Sequence, residues 1–234
     1  MLLAHQLATL DQIAEGRVIL GVVIASDVAN IRAEFEACGV PWEKRVGRML
    51  EGLRLCRALW TGEPVDWDGR WTLRGPVCGP VRGLVLGPVP HRPGGPPIWL
   101  AGSAPATIER VGRHFNGWFP NGHDPAGFAV TWGEMRAVAR EAGRDPAVLT
   151  GAVYLTLAID EDQTRAETRT DAFMGSYCGQ RPDVMRKRQR CYAGGLAGAR
   201  ALIAEYVAAG AGHLVLRFAG EHERHLELLA SLNA

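Results

Sequence analysis

The segment PPIWLAGSAPATIERVGRHFNGWFP, residues 96–120, decides the fold. Ile98, Trp99 and Leu100 form a short apolar run that closes at Ala101-Gly102, the pattern of a parallel strand buried on both faces. Gly102-Ser103-Ala104-Pro105 then turns the chain into a helix. Ser103 or Ala104 is its N-cap, and Pro105 sits in the first turn, where a missing N–H costs nothing. Ile108, Val111 and Phe115 recur along one helical face. Asn116-Gly117 stops the helix, and Trp118-Phe119-Pro120 opens another strand. The turn at Gly102, Ser103 and Ala104 admits two readings. It is a tight βα connection of small residues, or a cradle whose free N–H groups and helix dipole hold an anion such as a phosphate.

Outward from this unit, strand and helix patterns alternate. Before it, Leu3, Leu7, Leu10 and Ile13 recur at helical spacing up to Glu15-Gly16. The β-branched run RVILGVVIA, residues 17–25, reads as a buried strand. A helix follows from Trp42 to Trp60, with Val46, Met49, Leu50, Leu53, Cys56 and Trp60 as its apolar stripe. Arg45 and Arg48 stand in its first turns, where cations oppose the helix dipole. Either Arg48 and Glu51 pair with neighbours on a solvated face, or the arginines meet a phosphate. Residues 64–73 read as a hairpin turning at Asp68-Gly69. Residues 75–95, rich in Pro and Gly, read as a long excursion; Cys78 and His91 within it have no metal spacing.

After the central unit, Asp124-Pro125 starts a helix with Phe128, Trp132, Met135 and Val138 turned inward. A strand follows at 151–159, and Asp160 caps a polar helix. Residues 179–190 are polar and basic, either a solvated loop or helix face or a lid placing cations over an anionic ligand. A helix at 196–209, a strand at 212–219 and a helix at 221–232 close the chain. Strands near 18–24, 97–101, 117–120, 151–159 and 212–218 with helices between them make a parallel α/β protein, an open sheet or a (β/α) barrel. Neither GxGxxG nor GxxxxGK[ST] occurs, which removes the usual support for the nucleotide-binding open sheets.

The composition agrees with one globular domain over residues 1–234. Of 234 residues, 47% are apolar, enough for a full core, and the net charge of +1 speaks against a nucleic-acid binder. The 5 cysteines, an odd count without CxxC or Cys/His spacing, point to a reducing compartment and no metal site. No run approaches the ~18 apolar residues of a membrane span, and MLLAHQLATLDQ lacks the basic start and apolar core of a signal peptide. The expectation is a cytoplasmic protein without a membrane partner.

Four blocks carry a resemblance: ATLDQIAEGRVILGVV, GVPWEKRVGRMLEGLRLCRALWTGEPVDWDGRW, LGPVPHRPGGPPIWLAGSAPATIERVGRHFNGWFP and GHLVLRFAG. In this order they resemble the luciferase-like monooxygenases, flavin- or factor-420-dependent oxidoreductases built on a TIM-type barrel. The resemblance implies that Gly102, Ser103 and Ala104 bind the phosphate of reduced FMN or coenzyme F420 through backbone N–H groups. It implies that Arg45 pairs with that phosphate, that Ile24, Ala25 and Ser26 line the ring, and that Arg217 faces the barrel mouth. One contact of the bacterial luciferase subgroup, a cation just after the strand at 17–25, is replaced here by Ile24-Ala25. Family members also carry three βα units before the helix with which this sequence opens. The implied fold is therefore an N-terminally incomplete barrel of about five parallel strands, with open edges that favour a homodimer.

The function so implied is oxidation or reduction of a small organic substrate. The alternative is a noncatalytic flavin-binding or interaction protein built from a truncated barrel. No acid or base stands out: His5, His114, His123 and Arg217 are the polar candidates. His123 leads because it follows a strand end, where barrel chemistry occurs.

Overall fold

The computed structural model describes residues 1–73, 79–179 and 181–230. Cys78 and the stretch 75–78 of the Pro/Gly-rich excursion lie outside the described residues, as do Gln180 in the basic segment and residues 231–232 of the closing helix. The chain divides into two compact units, Met1–Ile98 and Trp99–Ala234.

In the first unit, helix α1 (Leu2–Ile13) buries Ala4, Leu7, Ala8 and Asp11. The stripe read from the sequence is corrected: Leu3, Leu10 and Ile13 are exposed. The small Ala4 and Ala8 let the helix approach closely, and polar bonds fix that face. Trp60 Nε1 donates to Ala4 O at 3.0 Å, and Arg92 N donates to the buried Asp11 Oδ2 at 2.8 Å. Strand β1 (Leu20–Val23) is shorter than its β-branched run, and its burial alternates rather than being continuous, with Val23 exposed.

Helix α2 (Ala29–Ala37) and a 3-10 turn (Trp42–Lys44) lead into α3 (Arg45–Leu59). Glu51, read as a residue of a solvated face, is buried on α3. It accepts from Arg70 N at 2.6 Å and Arg70 Nη1 at 3.1 Å. This contact explains a second correction. Asp68-Gly69 is no hairpin turn: strand β2 (Val65–Leu73) continues through it, bulging between Trp67 and Thr72, and pairs antiparallel with β3 (Gly79–Leu84). A Cβ at Gly69 would lie 2.1 Å from Glu51 Oε1, so the glycine makes room for the carboxylate rather than turning the chain.

The second unit is a parallel sheet with helices between its strands. Strand β4 (Ile98–Ala101) leads into α4 (Pro105–His114), whose N-cap is Ala104, and β5 (Gly117–Phe119) pairs beside β4. The missing side chain of Gly117 admits Trp99, whose Cδ1 would lie 2.4 Å from a Cβ there. Helix α5 (Pro125–Glu141) starts at Asp124, whose Oδ1 accepts from Gly127 N at 2.7 Å. Strand β6 (Thr150–Ile159) is almost wholly buried and runs parallel to β5 through Thr150 and Gly151.

Helix α6 (Gln163–Cys178) is capped by Asp162, not by Asp160. Asp160, only 2% exposed, is instead taken up by Arg165, Arg169 and Arg224. The basic segment after α6 bears out the solvated helix face over most of its length, with Arg186, Lys187 and Arg188 exposed. It forms α7 (Pro182–Arg188) and then β7 (Arg190–Gly194), a strand absent from the sequence reading. After α8 (Leu196–Ala208) comes β8 (His213–Phe218), then α9 (His222–Ala230). Leu155, Thr156 and Leu157 of β6 pair with both β7 and β8, so these two strands lie on opposite sides of β6. Buried His225 of α9 accepts from Ile159 N through Nε2 at 2.8 Å, and its Nδ1 lies 2.8 Å from Glu221 O. That pair of contacts fits the tautomer with the proton on Nδ1. Among the described residues no helix is long and apolar enough to cross a membrane.

Candidate functional site

Each unit brings some of the singled-out residues together. In the first, Ile24, Ala25 and Arg45 line one cavity of about 240 Å³ with Val23, Phe35, Val46 and Met49. The lining is apolar except for the guanidinium. Arg45 begins α3, and its side chain folds back over the 3-10 turn, with Cζ 3.8 Å from the centre of the Trp42 ring. Nη1 donates to Trp42 O at 3.1 Å, while Nε is buried and has no hydrogen-bond partner among the described residues. Trp42 also carries Arg32 at 4.9 Å and meets Phe35 edge-on at 5.1 Å. Arg32 is neutralised by Asp27, whose carboxyl the Arg32 hydrogen bond pulls below its ordinary value, with Arg45 adding to that pull. Arg45 is thus a stacked cation with an idle donor in an apolar wall, a suitable partner for an anion.

In the second unit, Gly102 holds φ at +121°, where a side chain is strained, and Ala104 caps α4 without a side-chain bond. The first N–H groups of a helix have no partner within it. Trp118 Nε1 donates to Gly102 O at 2.7 Å and fixes the peptide ahead of the turn. Ser103 Oγ lies 3.5 Å from His123 Nδ1, a long contact, and the His123 ring stands edge-on to Trp118 at 5.1 Å. The backbone of His123 is held by Tyr206, whose hydroxyl donates to His123 O. Burial raises the pKa of that phenol and keeps the donor protonated. His123 therefore joins Ser103 at the turn, two residues that the sequence singled out separately.

Arg217 of β8 sits opposite Thr156 of β6. Its Nε and Nη2 donate to Thr156 Oγ1 at 3.0 and 2.6 Å, and Nη2 also donates to Gln189 Oε1. The rings of Tyr154, Phe173 and Tyr177 surround it. The sequence carried a signal for Tyr154 and Thr156, alternate residues of a strand that share a face, but none for the rings of α6. The other two histidines join neither group: His5 lies in an open apolar groove of α1 with Leu2, Leu10 and Ile13, and His114 is exposed in the last turn of α4. The described residues contain no cluster of His, Cys, Asp or Glu suited to a metal ion.

Comparison with known proteins adds a lineage to this geometry. A phthiodiolone/phenolphthiodiolone dimycocerosates ketoreductase of Mycobacterium sp. (strain JLS) is 32% identical over 153 residues, covering 65% of this chain and 38% of that protein. A 5,10-methylenetetrahydromethanopterin reductase of Methanolobus tindarius is 28% identical over 185 residues, covering 79% of this chain and 52% of that protein. The chain thus spans about two fifths to one half of the length of these relatives. Among solved structures, an F420-dependent secondary alcohol dehydrogenase in complex with an F420-acetone adduct superposes with a TM-score of 0.74 at 19% identity, covering 97% of this chain and 71% of that one. That likeness shows the fold, the TIM-type α/β barrel architecture of luciferase-like enzymes. The family model described as luciferase-like monooxygenase matches residues 1–233, and the chain belongs to that family.

Proposed function

We propose that this chain carries cofactor-binding machinery of a flavin- or F420-dependent oxidoreductase or monooxygenase that acts on a small organic molecule. The observation that carries this reading is Arg45, with its buried, unpartnered Nε beside an apolar cavity lined by Ile24 and Ala25. The residues fit FMN or coenzyme F420: a fixed guanidinium suits a phosphate, and apolar walls suit a flat ring. Arg45 orients the anionic part of the cofactor, held flat by Trp42, while Ile24 and Ala25 exclude water from the ring. In the second unit, Gly102, Ser103 and Ala104 offer N–H groups at the start of α4 to an anion, and His123 beside Ser103 is a proton carrier in reach of the same turn. When bound in reduced form, the cofactor supplies a hydride or, with flavin, electrons for oxygen chemistry.

Titrating the 234-residue chain with FMN, followed by fluorescence, and with coenzyme F420, followed by absorbance, tests this reading. The expected result is saturable binding of one of the two and at least tenfold weaker binding by Arg45→Ala. Folded protein that binds neither cofactor overturns it, as does an Arg45→Ala variant that binds like wild type. The exposed Leu2, Leu10 and Ile13 of α1 support an accompanying homodimer, which light scattering on the purified chain reads directly.

A further inference from the structure

Arg217, like Arg144 on the carbonyls of Val111, Gly112 and Phe115, is fixed by neutral acceptors, whereas other arginines of its unit are paired with carboxylates. Arg165, Arg169 and Arg224 converge on Asp160 or Glu221, and Arg186 pairs with Asp171. Arg217 meets neutral groups, Thr156 Oγ1, Gln189 Oε1 and the Tyr154 hydroxyl, and pairs with no carboxylate among the described residues. Those groups fix the plane of the guanidinium without cancelling its charge.

Aromatic rings stand around this cation. The centres of Tyr154, Phe173 and Tyr177 lie 4.9, 5.0 and 4.7 Å from Cζ, within cation–π range. Phe173 and Tyr177 are themselves stacked, 5.2 Å apart with planes 13° from parallel. Burial raises the pKa of the Tyr154 phenol, so that ring adds no negative charge near neutral pH. The cluster is a positively charged, half-buried guanidinium edge with flat apolar walls.

We propose that Arg217, framed by Tyr154, Phe173 and Tyr177, is a recognition site for the carboxylate of a flat or aromatic organic acid. A carboxylate matches the fork of a guanidinium in plane, and the apolar body behind it gains from ring contact, whereas a free inorganic anion does not. Calling that acid the substrate rests on the oxidoreductase reading above; the binding of the acid does not.

The test uses the whole chain without cofactor, 4-fluorobenzoate and 4-fluorobenzamide as probes, and fluorine NMR as the readout. Wild type is expected to bind the acid at least tenfold tighter than the amide, with inorganic phosphate failing to compete. Arg217→Gln is expected to lose this discrimination. Tyr177→Leu, at a side chain 64% exposed and thus safe for folding, is expected to weaken the acid several-fold. Equal binding of acid and amide, no binding of the acid to folded wild type, displacement by phosphate, or an unchanged Tyr177→Leu each overturns the proposal. Because no cofactor is present, this outcome and that of the cofactor titration are read independently.

Discussion

Gly69 and Glu51 form a lock that is invisible until both are placed. Gly69→Ala puts a Cβ 2.1 Å from Glu51 Oε1, and Glu51→Ala strands the Arg70 amide that the carboxylate accepts. Each change is expected to destabilise by about 1–3 kcal/mol. The double variant should lose less than the sum, since removing the carboxylate removes the clash; chemical denaturation of the four proteins measures this. Asp160 makes a pH-dependent contribution. The Arg165 hydrogen bonds hold its carboxyl well below the ordinary 3.8, so the folded pKa is depressed. Its ion pairs therefore stabilise fully above pH 3.8 and progressively less as the pH falls below it. The stability gap between wild type and Asp160→Asn, measured by thermal melts across pH, is expected at pH 7 and should close in acid. Sequence singled out Arg45 because a cation at a helix start opposes the dipole. It could not show that Trp42 lies beneath the guanidinium, because the stack depends on how the 3-10 turn folds back.

Elements with a local signature were legible, and those made by tertiary pairing were not. Asp124-Pro125 announced α5, and Asp124→Ala is expected to cost about 1 kcal/mol of stability in denaturant melts through loss of the cap to Gly127. Asp160 resembled a cap equally well, yet Asp162 caps α6, because the arginines around Asp160 claim its carboxylate. The strand β7 carries no apolar alternation; only its register against β6 from Leu155 to Ile159 makes it a strand. The run that becomes β2 holds Asp-Gly, a turn signal that its packing against α3 overrides. At the head of α4, Gly102 is required by its φ of +121°. Gly102→Ala is expected to destabilise by about 1–2 kcal/mol and to weaken cofactor binding through the displaced turn, read by melts and titration side by side.

At the scale of the molecule, the five strands read from the sequence all occur, with β4, β5, β6 and β8 paired in parallel, and the matched family and superposed structure agree with the TIM-type reading. Strand and helix alternation was legible because it repeats along the whole chain. Which of the two cofactors, FMN or coenzyme F420, was not, because one guanidinium and one βα turn suit either. Common to both is the phosphate itself. The most direct measurement compares FMN with riboflavin, and coenzyme F420 with its phosphate-free deazaflavin core, on wild type and Arg45→Ala. Wild type is expected to prefer the phosphate-bearing member of one pair by at least tenfold, about 1.4 kcal/mol, and Arg45→Ala to lose most of that preference. Equal affinity of folded wild type for both members of each pair, or a preference that survives in Arg45→Ala, contradicts the role given to Arg45.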